Sequence, residues 1–277
     1  MGDSSVQIPL HGMEIAHDEE GEVTVLVTGY GPFLNQVPIN PSWSITSILP
    51  DRLPATSSSP KIRIIKYPHP IRVAYQTVLD LVPKLLDPVE GEVQADIVLH
   101  IGLAAGRPFY TLERQSPRSP YWTGRDVDNQ IFSQEKTDQL WPLLKFPQFL
   151  KPTFDANDVY ERWKAHLPNP NTDVRPSSDP GNFLCGFIYY MSMSWFWRKQ
   201  AEERPVMFLH VPLLTGEEQI EEGRDVAVGL IKALVESRSE LGIRDPLNRE
   251  IVESDRPMGD AGVLLGKENY KGWDGVS

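Results

Sequence analysis

One cysteine, Cys185, stands in 277 residues, so no intramolecular disulfide can staple this chain, and a reducing compartment suits it. Positive charge is also short: 27 lysines and arginines face 38 aspartates and glutamates, a net charge of −11. That deficit argues against nucleic acid or an anionic membrane as a partner. No apolar run approaches the roughly 18 residues of a membrane span. Residues 1–22 are polar and acidic and lack the apolar core of a secretory signal. Histidine is scarce, six in all, and the histidines and the cysteine show no metal-ligand spacing. The expectation is a soluble, cytoplasmic protein with no metal and no cofactor.

What is present is enough for a substantial core: 40% of residues are apolar, while 25 prolines imply long irregular segments. Residues 1–22 read as a flexible leader, 23–242 as one domain, and 243–277 as a loose tail. Val23–Thr28, Lys61–Tyr67, Asp96–Gly102 and Pro205–Pro212 are short, largely β-branched runs of the kind buried in a parallel sheet. Helical spacing begins at Asn40-Pro41 and covers Ile71–Leu86, with Pro83 interrupting it. It returns at Asn157–His166 and Glu217–Glu240, and Val174–Ser178 reads as a further short strand. Residues 116–152 lack periodicity and read as an insertion, either a lid or a surface excursion. The pattern predicts an open three-layer α/β/α sandwich with a twisted, mostly parallel central sheet.

The stretch Asp179–Tyr190 carries the cysteine. Asp179-Pro180 reads as the N-cap and first position of a helix running to Trp197. Cys185 then lies near the positive end of that helix, where the thiolate is favoured. The competing reading is a small core hydrophobe among Phe183, Leu184 and Ile188. His210 falls near the carboxyl end of a strand, where ligands bind in open sheets. Glu113 falls in a loop after the third strand, with Arg114 beside it as either a functional or a solvated pair. Tyr30 and Phe33, after the first strand, either line a small apolar slot or cover the end of the sheet. His100 reads as a satisfied core histidine, His69 as a loop residue and His166 as exposed. Topology lets Cys185, His210 and Glu113 converge: a cysteine needs a base, and its histidine needs an acceptor. The helix N-terminus can also donate amides to a developing oxyanion.

Four blocks, in order, resemble the pyroglutamyl peptidase I family of cysteine exopeptidases, also called pyrrolidone carboxyl peptidases. They are Thr28-Gly29-Tyr30-Gly31-Pro32-Phe33 with Asn40-Pro41-Ser42-Trp43; Gly102–Arg107 through Glu113-Arg114; Gly181–Cys185; and Phe208-Leu209-His210-Val211-Pro212. The resemblance implies Cys185 as nucleophile, His210 as base and then acid, and Glu113 orienting the imidazole. It implies that Tyr30, Phe33, Phe183, Leu184 and Leu103 line the site of an N-terminal pyroglutamyl ring, within a catalytic domain of residues 23–242. Arg125, in a segment similar to the family's R-I-P-D-N, is implied near the cysteine. The implied partner is a peptide with an N-terminal pyroglutamate, and the implied assembly is a monomer or a homo-oligomer. The chain departs from the family pattern at Gln115-Ser116-Pro117-Arg118, at Gly186 in place of Asn, at Tyr30 in place of Phe, and in the length of residues 131–150. No triad member is touched by these departures. A non-catalytic or divergent relative that binds peptide N-termini or small molecules in the same pocket is the alternative.

Overall fold

The structure, a computed structural model, describes residues 21–33, 38–89 and 93–241. The leader and tail expected from composition therefore lie almost wholly outside the described residues. In chain order the elements are β1 (Val23–Gly29), α1 (Pro41–Ser47), β2 (Arg52–Leu53), β3 (Ile62–Lys66), α2 (Tyr75–Leu86), β4 (Ile97–Leu103), β5 (Tyr110–Glu113), β6 (Ser116–Pro117), α3 (Gln134–Leu140), β7 (Phe149–Leu150), α4 (Ala156–Ala165), β8 (Val174–Ser177), α5 (Leu184–Arg198), β9 (Val206–Val211) and α6 (Glu217–Leu241).

Seven strands form one sheet in the order β2-β3-β1-β4-β9-β5-β8. The pairs β3–β1, β1–β4, β4–β9 and β5–β8 are parallel, while β2–β3 and β9–β5 are antiparallel. This is the expected open, mostly parallel sheet. Its inner strands are buried on both faces, as their uninterrupted apolar runs require. One core lies under α1, α4 and α6, and a second lies under α2 and α5 on the opposite face. The layers are thus α/β/α. From β3 the chain passes back over β1 to reach β4, so the strand order reverses at β1. A crevice at such a reversal is the usual ligand position in open α/β sheets, and the Tyr30–Phe33 loop emerges there.

Three local expectations are corrected. Pro83 sits inside α2 without ending it; its ring occupies the last turn, and Asp87 N still reaches the Pro83 carbonyl. Glu113 is the last residue of a strand, because Tyr110-Thr111-Leu112-Glu113 adds antiparallel to β9. His166 is half-buried, with Nε2 2.8 Å from Glu236 Oε2 on α6. His100 is the satisfied core residue expected: Nδ1 is 2.7 Å from Thr28 Oγ1 and Nε2 is 2.9 Å from Ser192 Oγ. Burial without a charged partner lowers its pKa to about 3, so it stays neutral.

Residues 116–152 close on themselves through the β6–β7 pair and lie along α5. Ser116 Oγ donates to the Gly186 carbonyl, Tyr190 Oη to the Pro147 carbonyl, Trp141 Nε1 to Ser194 Oγ, and Trp197 Nε1 to the Lys145 carbonyl. Residues 186, 190, 194 and 197 recur at helical spacing, so the segment follows one face of α5. Among the described residues no helix is long and apolar enough to cross a membrane.

Candidate active site

His210 enters the site through strand register. On β9 it is paired with Gly102 of β4 on one side and Thr111 of β5 on the other. Side chains alternate along a strand, so Thr111 and Glu113 share one face of β5. That face brings Glu113 Oε1 to 2.8 Å from His210 Nδ1. An ionised carboxylate can only accept, so the contact fixes the imidazole proton on Nδ1 and leaves Nε2 free to act as a base.

Glu113 is fully buried, which by itself would raise its pKa. The hydrogen bond and charge of His210, the Arg107 guanidinium and Ser177 outweigh that cost and hold the carboxyl at about 2. Arg107 donates from Nη1 to Glu113 Oε1 at 2.7 Å and to Thr111 Oγ1 at 2.9 Å, while Thr111 Oγ1 donates to the same carboxylate oxygen at 3.0 Å. Tyr189 Oη on α5 holds the Glu113 backbone carbonyl at 2.8 Å. For His210, burial is the largest influence and lowers its pKa; Glu113 and Asp179 oppose it, and Arg107 adds to it. The imidazole is neutral at pH 7.

Cys185 is the second residue of α5 and is partly buried. The helix begins four residues later than Asp179-Pro180 suggests: the N-cap is Phe183, and no side chain caps it. Asp179 instead accepts from Gly181 N at 3.0 Å, closing a side-chain turn that ends at Gly181 with φ +78°. The uncapped first turn leaves the amides of Leu184, Cys185 and Gly186 without intrahelical acceptors. Sγ lies over the register line of Gly102 and His210: a Cβ built on Gly102 would stand 2.8 Å from Sγ and 2.7 Å from Phe208 Cζ. Phe208 in turn packs on the His210 ring at 4.7 Å between centroids.

The helix end does not produce the expected thiolate. Burial foremost, then the nearby Glu113 charge, push the Cys185 pKa up to about 12, with Arg107 opposing. At rest Cys185 is therefore a thiol and His210 a neutral imidazole.

The remaining predicted residues distribute unevenly. Tyr30 is buried, and its hydroxyl donates to the Leu184 carbonyl at 2.7 Å, so it pins the start of α5. Phe33 and Phe183 are half-buried neighbours, 6.3 Å between ring centroids. Leu184 and Leu103 are buried, Leu103 at the end of β4. Arg125 is exposed on a turn and donates to the Asn129 carbonyl. Beside it, Asp126 accepts from Tyr75 N at the start of α2, and the Tyr75 ring meets Phe183 edge-on at 6.0 Å.

Sequence reasoning missed Arg107, Thr111 and the brace they form. The available signal was the i, i+2 spacing of Thr111 and Glu113, which places both on one face once the segment is a strand. Among the described residues no group of three or more His, Cys, Asp or Glu is arranged to hold a metal ion.

A family model described as pyroglutamyl peptidase matches residues 23–120, a span containing β1, the Arg107 turn and Glu113. Human pyroglutamyl-peptidase 1 is 28% identical over 196 residues, covering 71% of this chain and 82% of that protein. The pyrrolidone-carboxylate peptidase of Thermosipho africanus is 23% identical over 195 residues, covering 69% and 82%. In fold, a mutant pyrrolidone carboxyl peptidase of Pyrococcus furiosus aligns with a TM-score of 0.61 at 20% identity, over 79% of this chain and 100% of that one. The pyrrolidone carboxyl peptidase of Fervidobacterium islandicum gives 0.59 at 20% identity, over 76% and 98%. The chain is thus similar to pyroglutamyl peptidases in sequence and shares the fold of pyrrolidone carboxyl peptidases, and the family-model match runs through both the β1 loop and the Glu113 strand.

Proposed function

We propose that this chain is a cysteine exopeptidase that hydrolyses an N-terminal pyroglutamyl residue from peptides, with residues 23–242 as its catalytic domain. The observation that carries the assignment is the 2.8 Å contact between Glu113 and His210, set in strand register with the glycine over which Cys185 Sγ lies. A thiol with a raised pKa needs a base at the moment of attack, and a neutral imidazole with Nε2 free is that base.

In this scheme Sγ attacks the pyroglutamyl carbonyl carbon as Nε2 of His210 takes the thiol proton. The oxyanion is received by first-turn amides of α5, with the Cys185 amide as the principal donor. Collapse breaks the carbonyl–nitrogen bond, and the imidazolium returns its proton to the departing amine. The thioester left on Cys185 is then attacked by water, whose proton passes to Nε2. Free pyroglutamate leaves, and the thiol regains its proton. Glu113 stays ionised throughout and stabilises the imidazolium.

Phe33, Phe183 and Tyr30, backed by Leu184 and Leu103, are assigned to the lactam ring, which is flat, uncharged and lacks a free amine. Arg125 is assigned to the rim of the same wall, since its turn is tied through Asp126 and Tyr75 to Phe183. Glu113 lies 2.8 Å from His210, which supports a catalytic over a non-catalytic relative, and the reactivity of Cys185 bears on the same choice. The test is release of a fluorogenic amine from a pyroglutamyl amide under reducing conditions, with Cys185→Ala as control. Release by wild type and its loss in the variant are expected. Folded wild type that releases nothing would refute the assignment.

A further inference from the structure

Among the described residues, the one buried cation at the Glu113–His210 pair, Arg107, has no part in the scheme above. Arg107 lies in the turn after β4, with its side chain 5% exposed. It does not grip Glu113 with both ends of its fork. Nη1 goes to Glu113 Oε1 and Thr111 Oγ1, while Nη2 goes to the Asp179 carbonyl at 2.6 Å. Asp179 opens the loop that leads into α5 and Cys185. One guanidinium therefore spans the element carrying the carboxylate and the element carrying the thiol.

We propose that Arg107 is a positioning residue for the reaction: it holds Glu113 as an anion beside His210 and ties that pair to the loop that aims Cys185. The inference rests on the peptidase scheme for its catalytic meaning. A structural ion pair in this setting would be expected to be bidentate, since the parallel fork is the stronger geometry. The split fork gives up that geometry for a link between the two halves of the site.

The shared oxygen has a chemical consequence. Glu113 Oε1 receives donors from His210, Arg107 and Thr111, so Arg107 competes with the imidazole for the same charge. Removing the cation leaves Glu113 to His210 and the neutral Thr111 hydroxyl and makes the imidazolium harder to deprotonate. The charged and titratable groups around His210 are Glu113 from β5, Arg107 from the β4 turn, Asp179 from the loop before α5, and Cys185 from α5. Of these only Arg107 is a cation that disfavours the imidazolium, so its loss moves His210 in one direction.

Two variants separate the charge from the span. In Arg107→Gln, the His210 midpoint, followed by NMR through a pH titration, is expected to rise above wild type. The acid limb of kcat/KM should move up with it, and iodoacetamide should modify Cys185 more slowly at fixed pH. Arg107→Lys keeps the charge but a single ammonium cannot bridge Glu113 and the Asp179 carbonyl. Its His210 midpoint should stay near wild type while kcat falls by about 10²-fold, the scale of a small misplacement in the site, with KM little changed. A folded Arg107→Gln with an unmoved or lowered midpoint, or Arg107→Lys with wild-type kcat, overturns the proposal. The NMR midpoint needs no substrate, so it tests Arg107 even if wild type fails to release pyroglutamyl amides.

Discussion

At the scale of single residues, the site is set by which protons are held at rest. Cys185 sits where burial and the Glu113 carboxylate both oppose a thiolate, and its pKa rises to about 12. The sign for modification follows directly. Below that pKa the thiolate fraction grows with pH, so alkylation by iodoacetamide in the absence of substrate should rise about tenfold per pH unit between pH 7 and 10, without a plateau. A plateau already reached near pH 7 would mean that the resting state is a thiolate–imidazolium pair. The position of the cysteine was legible in the sequence, because it is single and follows a Pro-Gly turn. Its protonation was not: proximity to a helix N-terminus favours the thiolate by at most ~2 kcal/mol, and desolvation by neighbours distant in sequence, with the Glu113 charge, outweighs it. Arg107 escaped for a related reason. Its partners are a strand six residues on and a loop reached only through the fold.

At the scale of elements, the reactive geometry depends on how closely β4 lets α5 approach. Gly102 is the residue that allows it. Its backbone φ is not in the left-handed region, so the requirement is space, not conformation: an added methyl would lie 2.8 Å from Sγ and 2.7 Å from Phe208 Cζ. Phe208 cannot retreat freely, because it packs against Tyr189 on α5 as well as His210. Gly102→Ala is therefore expected to push Cys185 away from the imidazole and lower kcat by about 10²-fold. The overpacking should cost about 1–3 kcal/mol of stability, readable in urea unfolding. Wild-type kcat in a folded Gly102→Ala would place the nucleophile elsewhere. Element order and type for β1, β3, β4, β9, α4 and α6 could be read from apolar runs and helical spacing. β5 could not, since its four residues add antiparallel to β9 and take their burial from partners β8 and β9. The start of α5 was misread for a local reason. Asp179-Pro180 has the wording of a helix start, but the Asp179 side chain is used within a turn that ends at Gly181. Any side chain at Gly186 would meet the Gly181 carbonyl at 2.2 Å, so this loop and the bare first turn of α5 fit only each other.

At the scale of the whole molecule, residues 116–152 decide whether α5 has one buried face or two. A helix with apolar residues all round must be covered on both sides, and Phe187, Tyr190, Met191 and Ser194 of α5 are buried as fully as its sheet-facing residues. The cover is aromatic: Trp141 packs against Phe187 at 5.5 Å and Tyr190 at 4.7 Å, while Tyr121 and Phe132 meet Phe187 at 5.2 and 4.6 Å. Arg118 Nη1 braces the Trp141 carbonyl at 2.8 Å and Asp138 at 2.7 Å. The sequence left open a lid or a surface excursion; these contacts pack the segment onto α5 and favour a third arrangement, a fixed cover, over a lid. A lid would use contacts that open and close with turnover; a cover contributes to the folded state at all times. Trp141 separates the two, because it is fully buried and its indole N–H is held by Ser194. Trp141→Ala should destabilise the protein by about 3–5 kcal/mol in equilibrium unfolding, the usual cost of emptying a buried aromatic site. The fraction that remains folded should keep KM for a pyroglutamyl amide within a few-fold of wild type, because the lost side chain lies on the side of α5 away from the sheet. The opposite pattern, unchanged stability with altered KM, would make the segment a lid. Under the cover reading, residues 116–152 stabilise the helix that carries the nucleophile, and only the turn at Arg125 reaches the rim of its pocket.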